Sequence, residues 1–599
     1  MAPVELPVPA RRRPARAWAA AGLLLALLVP AGAGSPALAA AGAPPSPALA
    51  ALVDRFLVQF QRRHPSIAAG NGLHAGDAGL ENFSAAAIAD EVRELEALRR
   101  DLRALEGRTL TPDEAVDRRI LDGVIGGWLL DLTVVRSWQR NPMVYAVAIA
   151  DGVHNLMVMT NAPPAERLRR VTAKLRGVPT LLAAARTNIV RPPRVFAERG
   201  ITFLEGAAGL LDRDLWLAFA DVGDPALLAE ARGAASTAGA AITAYVAQLR
   251  AGLAAGVDAP WAVGADAVAA RYREEELLDL PLDRLVAIGE RELAREQARF
   301  TALAARLDAT RPPDSVWAEV RRRHPPRGGL VAATQQTVDE LTAFVRARGI
   351  ATVPDGERVT VAPSLPFDLG FASMHASPPL ESPPLTSFFY ITDVQPGADS
   401  ATAEAWLERF SRPSIAILSA HEAMPGHWLH ALYMRETPSR LRRIWIGLNP
   451  FPQPSSGQDG WAHYAEQLVV DEGFHADDPA YALAQSSEAL TRICRLLAGI
   501  RLHRGDWTLE AATAFFAREA HLPPPAARRE AVRGTYDPTY GVYFLGKRAL
   551  LALKRDVAAR DGAGFDARRF HERLLRQGIA PWWAHRQLLL PGDTRPIVD

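Results

Sequence analysis

Residues 413–430 read PSIAILSAHEAMPGHWLH, and this run could hold a metal ion. A His-Glu pair, His421 and Glu422, ends an apolar helical stretch. Pro425 and Gly426 interrupt it, and His427 follows. In a metallopeptidase helix carrying H-E-x-x-H, two imidazoles four residues apart share one face and the glutamate stands beside the bound water. Here the residue four after His421 is proline, which binds no metal. His427 lies six residues on, about 600° of helical rotation and some 120° off the face of His421. A straight helix could not aim both rings at one ion. Pro425 removes a helical hydrogen bond and Gly426 accepts unusual backbone angles, so a local bulge or kink is expected to return His427 to His421. A second segment, GWAHYAEQ at 460–467, places His463 and Glu466 three apart on one helical face. Two histidines and Glu466 from another helix then complete a three-ligand zinc site with one position left for water. Glu422 is the expected general base. The competing reading is a surface His-Glu pair with two incidental histidines.

Those residues need a scaffold, and the 599-residue chain has the material for one. It is 49% hydrophobic and 23% charged, with a net charge of +1. That balance excludes a disordered tail and gives no basic surface for nucleic acid. Its single cysteine, Cys494, excludes a disulfide framework and leaves any metal to His, Asp and Glu. Cys494 sits in LTRICRLLAGI, which reads as core, and no nucleophile-elbow signature accompanies it. Residues 1–39 read as a signal peptide: RRRPAR at 11–16, an apolar run at 18–29, and Ala37-Leu38-Ala39 for cleavage. Twelve apolar residues are too few to span a bilayer. No cysteine adjoins the cleavage site, so lipid attachment there is not expected. The mature protein is predicted to be exported and soluble, with no stable membrane span.

Residues 40–50 are expected to form a flexible leader, and 51–599 one mainly helical domain. A helical scaffold half at 51–350 precedes a catalytic half at 351–599. Ile88, Val92, Leu95, Leu98, Leu102 and Leu105 make one helical stripe; Leu285, Ile288, Leu293, Phe300 and Leu303 make another, with Asp283 as its cap. Around 350–395 the texture changes. RVTVA at 358–362 and SFFYIT at 387–392 suit short strands, separated by a Pro-rich loop at 377–385. The fold class is mainly α, with a small β-sheet before the metal-binding helix.

At these motifs the chain resembles the bacterial family labelled domain of unknown function 885, which carries His-Glu-x-x-Pro-Gly-His and then Gly-Trp-x-x-Tyr-x-Glu. The likeness extends from His64-Pro65 and GLHAGD at 72–77, through residues 361–363 and 388–390, to DPTYGVYFLGK at 537–547 and FHERLLRQGIAP at 570–581. That family in turn resembles zinc peptidases of the gluzincin type, which implies long helices around a deep cleft. Carried over by position, His421, His427 and Glu466 would be ligands and Glu422 the base. The chain departs from the family pattern at Trp428, His430, Asp459 and His463. His430 is a spare ligand candidate, and Asp459 could accept a hydrogen bond from a ligand imidazole.

An oxyanion needs a donor opposite the metal, and Tyr540, Tyr543 and His571 are the candidates, each equally explicable by packing. Lys547 and Arg548 could hold a substrate carboxylate or simply solvate a helix. The strand at 387–392 could be a sheet edge that a peptide extends. The expected activity is zinc-dependent hydrolysis of a peptide. Alternatives are a non-catalytic peptide- or partner-binding protein, and a metal-dependent hydrolase of a non-peptide amide or ester.

Overall fold

In a computed structural model the apolar stripes become helices. The structure describes residues 46–107, 110–364, 371–444 and 454–598; the signal segment at 1–39 lies outside them. Ala85–Arg103 starts on Ser84, whose hydroxyl accepts from the Ala87 N–H, and buries Ile88, Leu95, Leu98 and Leu102. Leu282–Leu307 buries its whole stripe. Its cap, however, is Pro281; Asp283 sits in the first turn and pairs with Arg504 at 2.6 Å. The first helix, Pro47–Arg63, begins inside the stretch expected to be a leader, with proline at its first turn where no N–H is needed.

Among the described residues, two large hydrophobic cores and a small third cluster of Ala431, Met434 and Ile579 organise the packing. One gathers residues from 49 to 249, joined by Leu441, Ile444, Ala580 and Ala584. The other runs from Val268 to Val598. The packing therefore divides near 250–268 rather than at 350, because Leu282–Leu307 lies along Pro479–Arg504 and belongs with the later helices. Gly289 permits that approach: a Cβ there would come within 2.9 Å of Leu497.

Among the described residues the sheet has three strands, β1 (Val359–Pro363), β2 (Ala372–His375) and β3 (Ser387–Ile391), in the order β1-β3-β2. β3 pairs parallel with β1 and antiparallel with β2. The 387–392 segment is thus the centre of the sheet and not an edge. Its neighbour β2, too short and polar to stand out in the sequence, is an edge strand.

The GLHAGD segment docks onto the Pro-rich loop. Gly72 has φ +82°, and a Cβ there would meet the Glu381 backbone nitrogen at 2.7 Å. His74 then bridges two carboxylates, Nδ1 to Asp77 at 3.0 Å and Nε2 to Glu381 at 2.8 Å. Burial works against its charge, but the hydrogen bonds to Asp77 and Glu381 outweigh it and lift the pKa from 6.5 to about 9. A folded-state pKa above the unfolded one stabilises fully below pH 6.5 and is lost as pH rises through 9. The stability of the wild type should fall across that window by on the order of 2–3 kcal/mol, a figure reduced for solvent screening of the part-exposed ring. His74→Gln should be less stable at pH 6 and lack that part of the slope; parallel pH profiles for the two proteins would refute the assignment.

Candidate metal centre

The helix Arg412–Glu422 starts on Ser411, which accepts from the Ser414 N–H, and carries Pro413 in its first turn. It ends at Glu422, where Ala423 leaves helical geometry. A new helix, His427–Met434, begins after Pro425 and Gly426. Its first bonds run back across the break, from His430 N–H to Gly426 and from Leu429 N–H to Ala423. Glycine is needed at 426 for space: a Cβ would stand 1.8 Å from the His421 carbonyl oxygen. The expected kink is therefore a complete stop and restart. It sets the His421 and His427 rings 4.8 Å apart, perpendicular to each other.

The third participant comes from Ser456–Asp471. Asp459 Oδ1 lies 3.5 Å from His427 Nε2 and 4.0 Å from His421 Nε2. The three ligand atoms all fall within 4.8 Å of one another. Glu466 is elsewhere. Its Oε1 takes a hydrogen bond from His421 Nδ1 at 2.7 Å and an ion pair from Arg492 at 2.9 Å, and its Oε2 meets His463 Nδ1 at 3.0 Å. Seven residues are nearly two full turns, so Asp459 and Glu466 share a helix face and embrace the His421 ring from its two nitrogens. The carboxylate that sequence reasoning put at the metal is the one behind the imidazole, and the one put behind it faces the cluster. Exposure separates them: the Glu466 side chain is 0% accessible, those of Asp459 and His427 16% and 13%.

The electrostatics follow. Burial opposes the charge on Glu466, but Arg492 and His463 overcome it and keep its pKa low. A carboxylate at Nδ1 draws the His421 proton there and turns the Nε2 lone pair toward Asp459 and His427. Burial, then repulsion from His427 and Arg492, holds the His421 pKa well below 6.5, so the ring is neutral. Burial also pushes Glu422 up to about 7, opposed by His427 and reinforced by Asp459. Two imidazole nitrogens and one carboxylate oxygen are a donor set that suits zinc, whose ligand atoms sit about 2 Å from the ion and so roughly 3.3 Å apart.

Sequence features around the cluster acquire physical reasons. Gly460 faces Gly546, each so close that a Cβ on one would lie 2.5–2.7 Å from the Cα of the other. The helices 456–471 and Val542–Asp561 thus cross backbone to backbone. Trp461 Nε1 donates to the Pro425 carbonyl at 2.9 Å, pinning the turn. The Glu276 carboxylate accepts from the Ser455 and Ser456 N–H groups and anchors the helix start.

Of the remaining candidates, Tyr543 is at the cluster. Its ring lies nearly parallel to His421 at 6.2 Å, and its hydroxyl accepts from Arg533 at 3.3 Å. Tyr540 is buried, with its hydroxyl on the Glu530 carbonyl at 3.3 Å. His571 is core as well, held between the Tyr464 hydroxyl and the Ile350 carbonyl at 2.9 Å each. Neither reaches the three ligand atoms, because each is tied to partners of its own. His430 is buried beside the Gly578 backbone, and burial takes its pKa to about 3. Lys547 is buried and drawn down to about 8, while Arg548 pairs with Glu292 at 2.7 Å. Arg492 escaped the sequence reading because it sits in the apolar stripe around Cys494.

A family model described as Bacterial protein of unknown function (DUF885) matches residues 65–585, and the chain belongs to that family. The fold is also that of two solved structures. One, from Shewanella oneidensis, is provisionally described as a lipoprotein of unknown function; it is 24% identical with a TM-score of 0.74, over 90% of this chain and 99% of that one. The other, from Colwellia psychrerythraea, is also provisionally described as a lipoprotein; it is 17% identical with a TM-score of 0.74, over 90% of this chain and 98% of that one. A search of the curated proteins finds no match to this sequence.

The two carboxylates should respond differently to substitution. Glu466→Gln strips the charge facing Arg492 and His463, and should cost about 3–5 kcal/mol in urea denaturation, as for a broken buried ion pair. Asp459→Asn, at the accessible end, should stay within about 1 kcal/mol of wild type. Equal losses would contradict the division between a buried support and an accessible donor.

Proposed function

We propose that this protein is an exported metal-dependent hydrolase that cleaves peptide bonds, with zinc held by His421, His427 and Asp459 and with Glu422 as general base. One observation carries the reading: Glu466 occupies Nδ1 of His421, so that Nε2 is the nitrogen facing His427 Nε2 and Asp459. A binding module has no need for a neutral imidazole supported in this way, nor for a half-buried glutamate beside it. The arrangement is gluzincin-like in plan, with Asp459 taking the place first given to Glu466.

Zinc in such a site supplies Lewis acidity toward a carbonyl and acidifies water. Glu422 would accept a proton from the attacking water and return it to the departing amine. Tyr543 has its hydroxyl oxygen engaged by Arg533, which leaves the O–H free to donate to a carbonyl oxygen as it gains charge. His427 Nε2 and Asp459 Oδ1 face each other at 3.5 Å at the open end, and both would be deprotonated when they hold the ion. Export rests on the basic, apolar and small-residue order of residues 1–39 and is in keeping with the lipoprotein description of the two similar structures. No helix among the described residues is long and apolar enough to cross a membrane.

Purified protein should carry one zinc per chain by elemental analysis and cleave members of a peptide library. Glu422→Gln should keep the zinc and lose about 10²–10⁴-fold in turnover. Asp459→Ala should lose the metal. Wild-type protein that refuses zinc would sink the ligand set, and undiminished turnover in Glu422→Gln would sink the base.

A further inference from the structure

A cavity of about 1090 Å³, large enough for a short peptide, is lined in part by Arg533. Arg533 lines both this cavity and the small pocket that contains Asp459 and Tyr543, so the two spaces adjoin. Five arginines line the cavity, at 199, 409, 528, 529 and 533, against two acids, Asp151 and Glu530. Glu530 is already bound by Arg495 through both oxygens, at 2.8 and 2.9 Å. Arg533 is paired with Asp537 at 3.1 Å, and Arg528 with Glu510 at 3.2 Å.

The other three arginines have no carboxylate within ion-pairing distance among the described residues. Arg409 instead lies over the rings of Phe371 and Trp406, at 4.2 and 4.7 Å from their centroids. Arg199 lies over Phe203 at 5.1 Å, and its Nε is buried without a hydrogen-bond partner. Burial, then repulsion from Arg529, brings the Arg409 pKa down to about 10. Arg529 is also lowered by burial. Arg409 is half-buried and Arg529 exposed, and the nearest carboxylates, Glu530 and Glu488, act on them without a direct ion pair, so the guanidinium edges remain open to an incoming anion. Stacking on an aromatic ring orients the planar fork and leaves its N–H edge available for a carboxylate, which it meets bidentately.

We infer that this cavity is the substrate-recognition site and that it selects peptides bearing a carboxylate, which Arg409 and Arg529 hold while the aromatic wall takes the neighbouring apolar side chain. This rests on the peptidase reading for the word substrate, but carboxylate binding itself does not require it. The carboxylate has two sources, a free C-terminus or an acidic side chain. The free C-terminus is the shorter-reaching of the two, its charge lying directly on the backbone beside the terminal side chain.

The test is equilibrium binding by fluorescence anisotropy on the full-length Glu422→Gln protein, with three labelled pentapeptides of identical apolar sequence. One ends in a free carboxylate, one in an amide, and one in an amide with a penultimate glutamate. The free acid should bind at least about tenfold tighter than the neutral amide, the value of one charge-assisted contact. Arg409→Gln and Arg529→Gln should each remove most of that difference, and Arg409→Lys should restore it only partly. Preference for the glutamyl amide over the free acid would keep the carboxylate site and move its source to a side chain. Equal affinity for all three in the unmutated cavity would overturn the inference, whatever the variants do. Carboxylate preference in a protein that cleaves nothing would overturn the peptidase reading alone, and cleavage without such preference would overturn the site alone.

Discussion

A fully buried carboxylate is expensive, and Glu466 shows how the expense is met. Its two oxygens receive His421, His463 and Arg492, from three separate helices. Removing any one donor leaves charge in a dry interior, so the three helices are fixed relative to one another by the requirement that all the contacts be made together. Everything nearer the surface inherits that register. Asp459 stands where it does because it lies seven residues before Glu466 on the same helix, and His421 points its outer nitrogen toward Asp459 because Glu466 holds the inner one.

The second constraint is steric. A chain leaving His421 has four residues, 423 to 426, in which to stop one helix and begin another beside it. Pro425 takes away a helical N–H, and Gly426 lets the chain pass the His421 carbonyl where any side chain would collide. The turn is held by Trp461, whose indole N–H reaches the Pro425 carbonyl. That reach is possible because Gly460 and Gly546 let their helices touch at the backbone. The glycines and the tryptophan of the two motifs are thus parts of one packing solution, and the histidines are its beneficiaries.

Much of this is legible in the residues alone. The helical stripes, the presence of a small sheet and the break between His421 and His427 all follow from periodicity and from proline chemistry. The exchange of Asp459 and Glu466 does not, because sequence spacing places both on one face without saying which end of that face is open to solvent. Tyr540 and Tyr543 are indistinguishable in sequence for a similar reason: three residues apart on adjoining turns, one meets the Glu530 carbonyl and the other the cluster. β2 escapes notice since its four residues, ASMH, carry no β-branched or alternating signal; it exists by pairing with β3.

The division of labour between the two halves also changes once the cores are known. An N-terminal scaffold supporting a separate C-terminal half would leave the first core remote from the His421, His427 and Asp459 cluster. Instead the large cavity takes Ile67, Val147 and Arg199 from helices of the first core, and Arg409, Arg529 and Arg533 from elements of the second. The His74 bridge to Glu381 ties the first core to the loop between β2 and β3, on the same cavity's rim. Two cores meeting along a seam provide what a single core cannot, a wide, partly dry space whose opposite walls are separately supported. Arg199 comes from one side of that space and Arg409 and Arg529 from the other, and Arg533 is shared with the pocket that holds Asp459.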